Sequence, residues 1–294
     1  MAESVFMALD IARDGSDSMT TLSLADGTVV PRLGQGTWRM GERGGHHAAE
    51  IASLRLGLDL GLTLIDTAEM YADGGAEEIV AEAIAGRRAE VFLVSKAYPH
   101  NAGAKTLPRA LEASLKRLKV ERIDLYLLHW RGLVPLAETV AAMEAARAAG
   151  KIARWGVSNL DVRDLQELGP ALADCATDQV LWNLQARGVE FDLLPFCATR
   201  GMPVMAYSPI GQGGTLLRHG AVRAVAARRG ATPAQVALAF VLARPGVIAI
   251  PKAADPMHVR QNAKALEVLL TPEDLAELDT AFPPPTRKRP LEMI

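Results

Sequence analysis

Short apolar runs alternate along the chain with longer stretches in which apolar positions recur every three or four residues. The short runs begin near Leu33, Leu62, Val91, Ile123, Arg154, Thr177, Pro203 and Val247. Most are apolar throughout, as strands buried on both faces are. Helical periodicity marks residues 48–60, 106–118, 136–149 and 192–200, with Gly61, Gly86, Gly150, Gly201 and Gly230 as stops. The runs start roughly thirty residues apart, the size of a strand–helix unit, with one longer interval at the end. Eight such units without a linker or composition shift predict an α/β fold, a closed (β/α)8 TIM barrel. Residues 21–30 predict a β-hairpin turning at Asp26-Gly27 and plugging the amino-terminal end of the barrel. Two extra helices are predicted, one inserted over 216–229 and one over 271–281 that stops before Pro283. Thr232 followed by Pro233 is a good start for the helix between them.

Composition adds bounds. The chain has 294 residues, 49% of them hydrophobic, and a net charge of −2. It can bury a large core, and it offers no electrostatic case for nucleic acid or an anionic membrane as a partner. Cys175 and Cys197 form no disulfide framework or metal set, so we expect free thiols, a reducing cytoplasmic location and no metal. No apolar run reaches the length of a membrane helix, and Arg287-Lys288-Arg289 reads as a solvated tail. Residues 1–18 include Glu3, Asp10, Arg13, Asp14 and Asp17 and lack a signal-peptide pattern. They are expected to be a disordered leader, with Met7 and Met19 as alternative starts, ahead of one domain over 19–294.

The chemistry collects where the predicted strands end. The first ends at Gly36-Thr37-Trp38, the second at Asp66, the third at Lys96 and the fourth at His129-Trp130. The rest end at Ser158-Asn159, Gln179, Tyr207-Ser208 and Lys252. Singly, Asp66 is a turn former, Lys96 a surface lysine and His129 a core histidine. Three successive strands each delivering an ionisable group point to the carboxyl-terminal mouth of a barrel, where catalytic groups gather. Tyr71, on the loop after Asp66, brings a phenol to the same space. Asn159 and Gln179 are amides able to pair with another amide, and Tyr207 offers a ring face to a flat heterocycle. Gly34-Gln35-Gly36 lacks the third glycine of a dinucleotide fingerprint and opens no helix. Residues 252–262 set cationic and amide groups around a helix start, a natural phosphate site.

On these motifs the sequence resembles the aldo-keto reductases from about Met19 to its end. The likeness is carried by Asp66-Thr67-Ala68-Glu69-Met70-Tyr71, Leu128-His129, the run from Gly150 to Asn159, Ala206-Tyr207-Ser208-Pro209 and Ile250-Pro251-Lys252. It is nearest to the bacterial aldehyde and 2-oxoaldehyde reductases, methylglyoxal reductases among them. The resemblance implies a cytoplasmic, NADPH-dependent enzyme reducing small aldehydes to alcohols, with Tyr71 as proton donor, Asp66 and Lys96 supporting it, and His129 orienting the carbonyl. It further implies that NADPH lies against Gly36, Thr37, Trp38, Asp66, Ser158, Asn159, Gln179 and Tyr207. Ser208, Pro209, Gly211, Ile250, Pro251, Lys252, His258, Gln261 and Asn262 complete that expected site.

Trp38, Tyr98 and Trp130 are expected to form a compact substrate pocket. A small carbonyl compound is the expected partner, and a monomer the expected state. In chemical terms, an ammonium at Lys96 is expected to lower the Tyr71 pKa by stabilising the phenolate. The sequence departs from the family where His258 stands in place of the arginine usual six residues after the lysine, so NADPH is expected ahead of NADH by a reduced margin. Two rival readings are a non-catalytic NADPH-bound regulatory or binding subunit of the same fold, and a pyridoxal-phosphate enzyme with Lys96 as Schiff base. The first sits poorly with a filled catalytic set, and nothing around Lys96 demands the second.

Overall fold

The computed structural model describes residues 19–294, so the expected leader at 1–18 lies outside the described residues. The chain opens with the predicted hairpin, β1 (Thr21–Ser23) paired antiparallel with β2 (Val29–Pro31). Its five-residue connection uses Gly27 alone at positive φ, +82°, where a side chain would be strained. Leu22, Leu24 and Val30 of the hairpin join Leu64, Val94, Leu125, Leu127, Met205 and Ile248 in an apolar cluster inside the barrel. The hairpin is therefore a plug, and Arg154 fastens it by hydrogen bonds to Asp26 and Thr28.

Eight parallel strands follow: β3 (Gln35–Gly36), β4 (Leu64–Asp66), β5 (Phe92–Ala97), β6 (Ile123–Leu128), β7 (Ile152–Ser158), β8 (Cys175–Leu181), β9 (Val204–Tyr207) and β10 (Val247–Ile250). They pair in sequence order, and parallel bridges Leu33–Ala249 and Gly36–Lys252 join the last to the first. The barrel is closed, as the repeat predicted. β7 and β8 slip register between Trp155 and Val157, which pair with Cys175 and Asp178. The extra residue on β8 is a bulge, and it brings both Ala176 and Gln179 to the barrel interior despite their odd spacing.

The barrel helices are α1 (His47–Asp59), α2 (Gly75–Ala83), α3 (Thr106–Leu118), α4 (Leu136–Ala148), α5 (Val162–Glu167), α6 (Leu193–Ala198), α9 (Pro233–Leu242) and α10 (Pro256–Ala263). Thr232 caps α9 reciprocally with Gln235, as the Thr-Pro start suggested. The inserted segment is two helices, α7 (Thr215–Arg218) and α8 (Gly220–Arg229), because His219 turns extended (ψ 137°) and caps the second. The final α11 (Pro272–Ala281) starts at a second reciprocal cap, Thr271 with Asp274. A second, larger apolar core lies between strands and helices and includes both free cysteines. Among the described residues no helix is long and apolar enough to cross a membrane.

Candidate active site

At the carboxyl-terminal mouth, β4, β5 and β6 deliver Asp66, Lys96 and His129 side by side. Lys96 is fully buried, and its ammonium has a partner for each proton: Asp66 Oδ2 at 2.7 Å, the Thr67 carbonyl at 2.9 Å and Tyr71 Oη at 3.2 Å. Asp66 is held in turn by the Gln179 amide, which donates to Oδ1 at 2.8 Å, while its carbonyl accepts from Thr37 Oγ1 at 3.0 Å. A buried ion pair is tolerable when each of its hydrogen-bonding positions is met in this way. It also leaves Lys96 engaged on every side, which removes the support for a Schiff-base role.

Burial acts on Lys96, Tyr71 and His129. It pulls the Lys96 ammonium down, opposed by the Asp66 charge. It pushes the Tyr71 phenol well up, and Asp66 adds to that push. The expected lowering of Tyr71 by Lys96 is therefore overturned: desolvation and the carboxylate win, because the lysine's charge is already matched by the nearer Asp66. The phenol stays protonated at neutral pH. Burial, and then the Lys96 charge, bring His129 down to about 2, so its imidazole is neutral. Nδ1 of His129 is buried without a partner. A proton on Nε2 is the tautomer that leaves no buried donor unmet. The His129 and Tyr71 rings meet edge to face at 5.7 Å.

Tyr71 is carried on a turn of unusual backbone. The three residues after it, Ala72, Asp73 and Gly74, have φ of 51°, 53° and 92°. For the two that bear side chains this costs about 1–3 kcal/mol each, which the surroundings must hold in place.

Above these groups opens a cavity of about 890 Å3. Of the residues expected against the cofactor, all but Gly211 line it; its neighbours Ile210 and Gln212 take that place. The amides are more engaged internally than expected. Asn159 donates to the His129 carbonyl and Ser158 Oγ, and its oxygen accepts from Tyr207 Oη at 2.9 Å. The Gln179 amide nitrogen is committed to Asp66. Trp38 and Trp130 line the cavity, whereas Tyr98 does not; its ring stands edge-on behind Trp130 at 5.6 Å. Met293 and Ile294 form part of the rim. Sequence reasoning missed Met70, Arg39 and the trio Thr232-Pro233-Ala234 as lining residues. For the trio the signal is present, since the Thr232-Pro233 helix start follows β9, and a helix that follows a barrel strand begins on the side of the carboxyl-terminal mouth.

On the side where β10 meets β3, the cavity wall carries Lys252, His258, Gln261 and Asn262. Arg260, two helical positions beyond His258, does not line it. A lysine, an imidazole and two amides on this side, and hydroxyls, amides and aromatic rings on the other, are a donor set that fits a phosphorylated dinucleotide.

The chain matches the Aldo/keto reductase family over residues 32–282. Methylglyoxal reductase YeaE of Escherichia coli (strain K12) is 55% identical over 271 residues, covering 90% of this chain and 95% of that protein. An aldo/keto reductase from Klebsiella pneumoniae, solved in complex with NADP and acetate, superposes with a TM-score of 0.91 at 53% identity, covering 94% of this chain and 99% of that one. An aldo-keto reductase from Klebsiella pneumoniae in complex with NADPH gives 0.92 at 52%, covering 95% and 100%. Likeness of this extent takes in the barrel and its mouth together, and the chain belongs to the aldo/keto reductase family of oxidoreductases.

Proposed function

We propose that the protein reduces small aldehydes and 2-oxoaldehydes, such as methylglyoxal, to alcohols with NADPH. The observation that carries the reading is the buried chain Asp66–Lys96–Tyr71, opening beside neutral His129 onto a cavity with Lys252 on its far wall. NADPH supplies the hydride when bound. Lys252 and His258 would hold its 2′-phosphate and Gln261 and Asn262 its adenine, while Ser158, Asn159 and Tyr207 would line the nicotinamide end.

His129 donates a hydrogen bond from Nε2 to the substrate carbonyl oxygen and fixes its direction. Tyr71 gives that oxygen its phenolic proton as negative charge develops on it. Lys96, at 3.2 Å from the phenol oxygen, steadies the phenolate left behind. Asp66 keeps Lys96 charged despite its burial. Trp38 and Trp130 narrow the entrance and favour short substrates.

The same proposal takes residues 19–294 as one domain acting as a cytoplasmic monomer. Two buried free thiols fit a reducing compartment.

The test is Tyr71→Phe. It should lower turnover of methylglyoxal by about 10²–10⁴-fold, the usual contribution of a general acid, with the NADPH dissociation constant within twofold of the parent. Parent-like turnover, or equal loss of cofactor binding, would overturn the assignment.

A further inference from the structure

The left-handed turn after Tyr71 does not hold itself. It is gripped from two sides, and one grip reaches back to the strand that bears Lys96. On the first side, Gly75 at the start of α2 lies against Gly41 so closely that a Cβ on Gly41 would stand 2.3 Å from the Gly75 carbonyl carbon. On the second side lies Arg117 of α3. A Cβ on Gly74 would stand 2.5 Å from Arg117 Cδ and Nε, so the arginine rests directly on the backbone of the turn.

Arg117 is itself fixed. Its Nε donates to Glu77 Oε2 at 2.6 Å, and a terminal nitrogen donates to Ser114 Oγ at 3.1 Å. Glu77 is fully buried, and its other oxygen accepts from Ser95 Oγ at 2.6 Å. Ser95 is also fully buried and immediately precedes Lys96 on β5. One carboxylate thus bonds the strand carrying the lysine and the arginine seated on the turn carrying the phenol. Of the three Lys96 hydrogen bonds, the one to Tyr71 is the longest, at 3.2 Å against 2.7 and 2.9 Å. It is the first that a shift of the turn would break.

We propose that Glu77 and Arg117 are a positioning couple that holds the Tyr71 hydroxyl against Lys96 and thereby sets the rate of proton delivery, an inference that rests on Tyr71 being the proton donor. Neither residue lines the cavity, so they act through the turn. The plainer account is that the pair only joins α2 to α3. Both accounts expect lost stability when the pair is removed; only positioning expects the loss of rate to depend on Tyr71.

The experiment is a double-mutant cycle read by single-turnover reduction of methylglyoxal with NADPH, at temperatures where every variant is folded. The paired neutral change Glu77→Gln with Arg117→Met leaves no unmatched buried charge. Arg117→Lys, which keeps charge and stem, is the milder second probe. In the parent background the paired change should lower the rate about ten- to a hundredfold, as a displacement of roughly 1 Å does, and Arg117→Lys several-fold. NADPH affinity should stay within twofold, and the solvent deuterium isotope effect should rise as proton transfer becomes limiting. In the Tyr71→Phe background the same changes should cost little further rate, because the group they position is gone. A parent-like rate and isotope effect in either folded variant, or the same fold-loss in both backgrounds, would overturn the couple. Full turnover by Tyr71→Phe alone would instead overturn the assignment of the proton donor on which it rests.

Discussion

At the amino-terminal end of the barrel, Leu22, Leu24 and Val30 fill the interior against Leu64, Val94 and Leu127. Two residues further along the same three strands, the inward positions are Asp66, Lys96 and His129. Two residues of strand are about 6.6 Å, so a dry apolar core and a buried ion pair are near neighbours on one scaffold. What stabilises them differs in kind. The plug is held by area and volume, which are non-directional and tolerant of like-sized replacement. The ion pair at the mouth is held by partners: Asp66 and Lys96 are stable only while specific atoms face them, and removing one strands the other. Chemistry is therefore confined to the end where substitution is costly, and the other end is free to absorb variation in packing.

The sharpest way to break this contrast is Lys96→Met. It should abolish measurable turnover and cost about 3–5 kcal/mol in denaturant unfolding, because Asp66 is left buried without its cation. Adding Asp66→Asn to that variant should restore much of the stability and none of the activity. Stability unchanged by the single substitution would show that the ion pair is not what holds the mouth.

The opposite end is probed by Leu22→Ala. A cavity inside the plug should cost about 2–5 kcal/mol, while kcat and the NADPH dissociation constant, measured well below the melting temperature, stay at parent values. A large fall in kcat of folded protein would mean that the two ends are coupled.

Asp178 probes a third environment, the layer outside the strands. It is fully buried, and neither carboxyl oxygen meets a donor at hydrogen-bonding geometry, the nearby Leu160 N–H offsetting the burial only in part. Burial pushes its pKa well above the usual carboxylate range. The folded chain holds this proton more tightly than the unfolded chain does. Its stabilising contribution is thus present below about pH 4 and is lost as pH rises, by at most about 1.4 kcal/mol per pH unit. Asp178→Asn should therefore be more stable than the parent at pH 8, with a smaller difference at pH 5, as read by melting temperature. Equal differences at both values would show that this carboxyl does not hold a proton in the fold.

The smallest effect is expected at the rim. His258→Arg should tighten NADPH relative to NADH several-fold, since a guanidinium engages a phosphate through two parallel donors. Dissociation constants for both cofactors, measured in parent and variant, give the ratio. An unchanged ratio would place His258 away from the 2′-phosphate.

The sequence is most legible where strand endings are abrupt. Leu64–Asp66, Val94–Lys96 and Leu127–His129 each pass from apolar to ionisable within a strand's length, and packing alone does not place a charge at the end of three buried strands in succession. Side-chain partnerships are less legible, because they depend on register. Gln179 reaches Asp66 through the β8 bulge, and an irregularity of one residue leaves no trace in periodicity. Tyr98 follows β5 closely enough in sequence to suggest the cavity, yet it lies behind Trp130, since sequence distance from a strand end does not give ring direction. The expected lowering of Tyr71 by Lys96 fails because a charge two partners share is settled by distance and burial, which the sequence does not carry. The segment 216–229 has the pattern of one helix because His219 interrupts it by backbone conformation and leaves composition unchanged.

The closing seam gives the barrel a history as well as a shape. Arg32 donates through Nε to the carbonyl of Val247, 215 residues away along the chain, and Gly36 bridges Lys252 beside it. The sector holding Asp66, Lys96 and His129 is joined by neighbouring strands and can assemble from short loops. The side of the cavity at the seam, where Lys252 stands, requires closing a loop of 215 residues, whose entropy must be met before its contacts form. On a ribosome β4, β5 and β6 emerge well before β10 is made, so the side chains of Asp66, Lys96 and His129 are available first and those of the seam last.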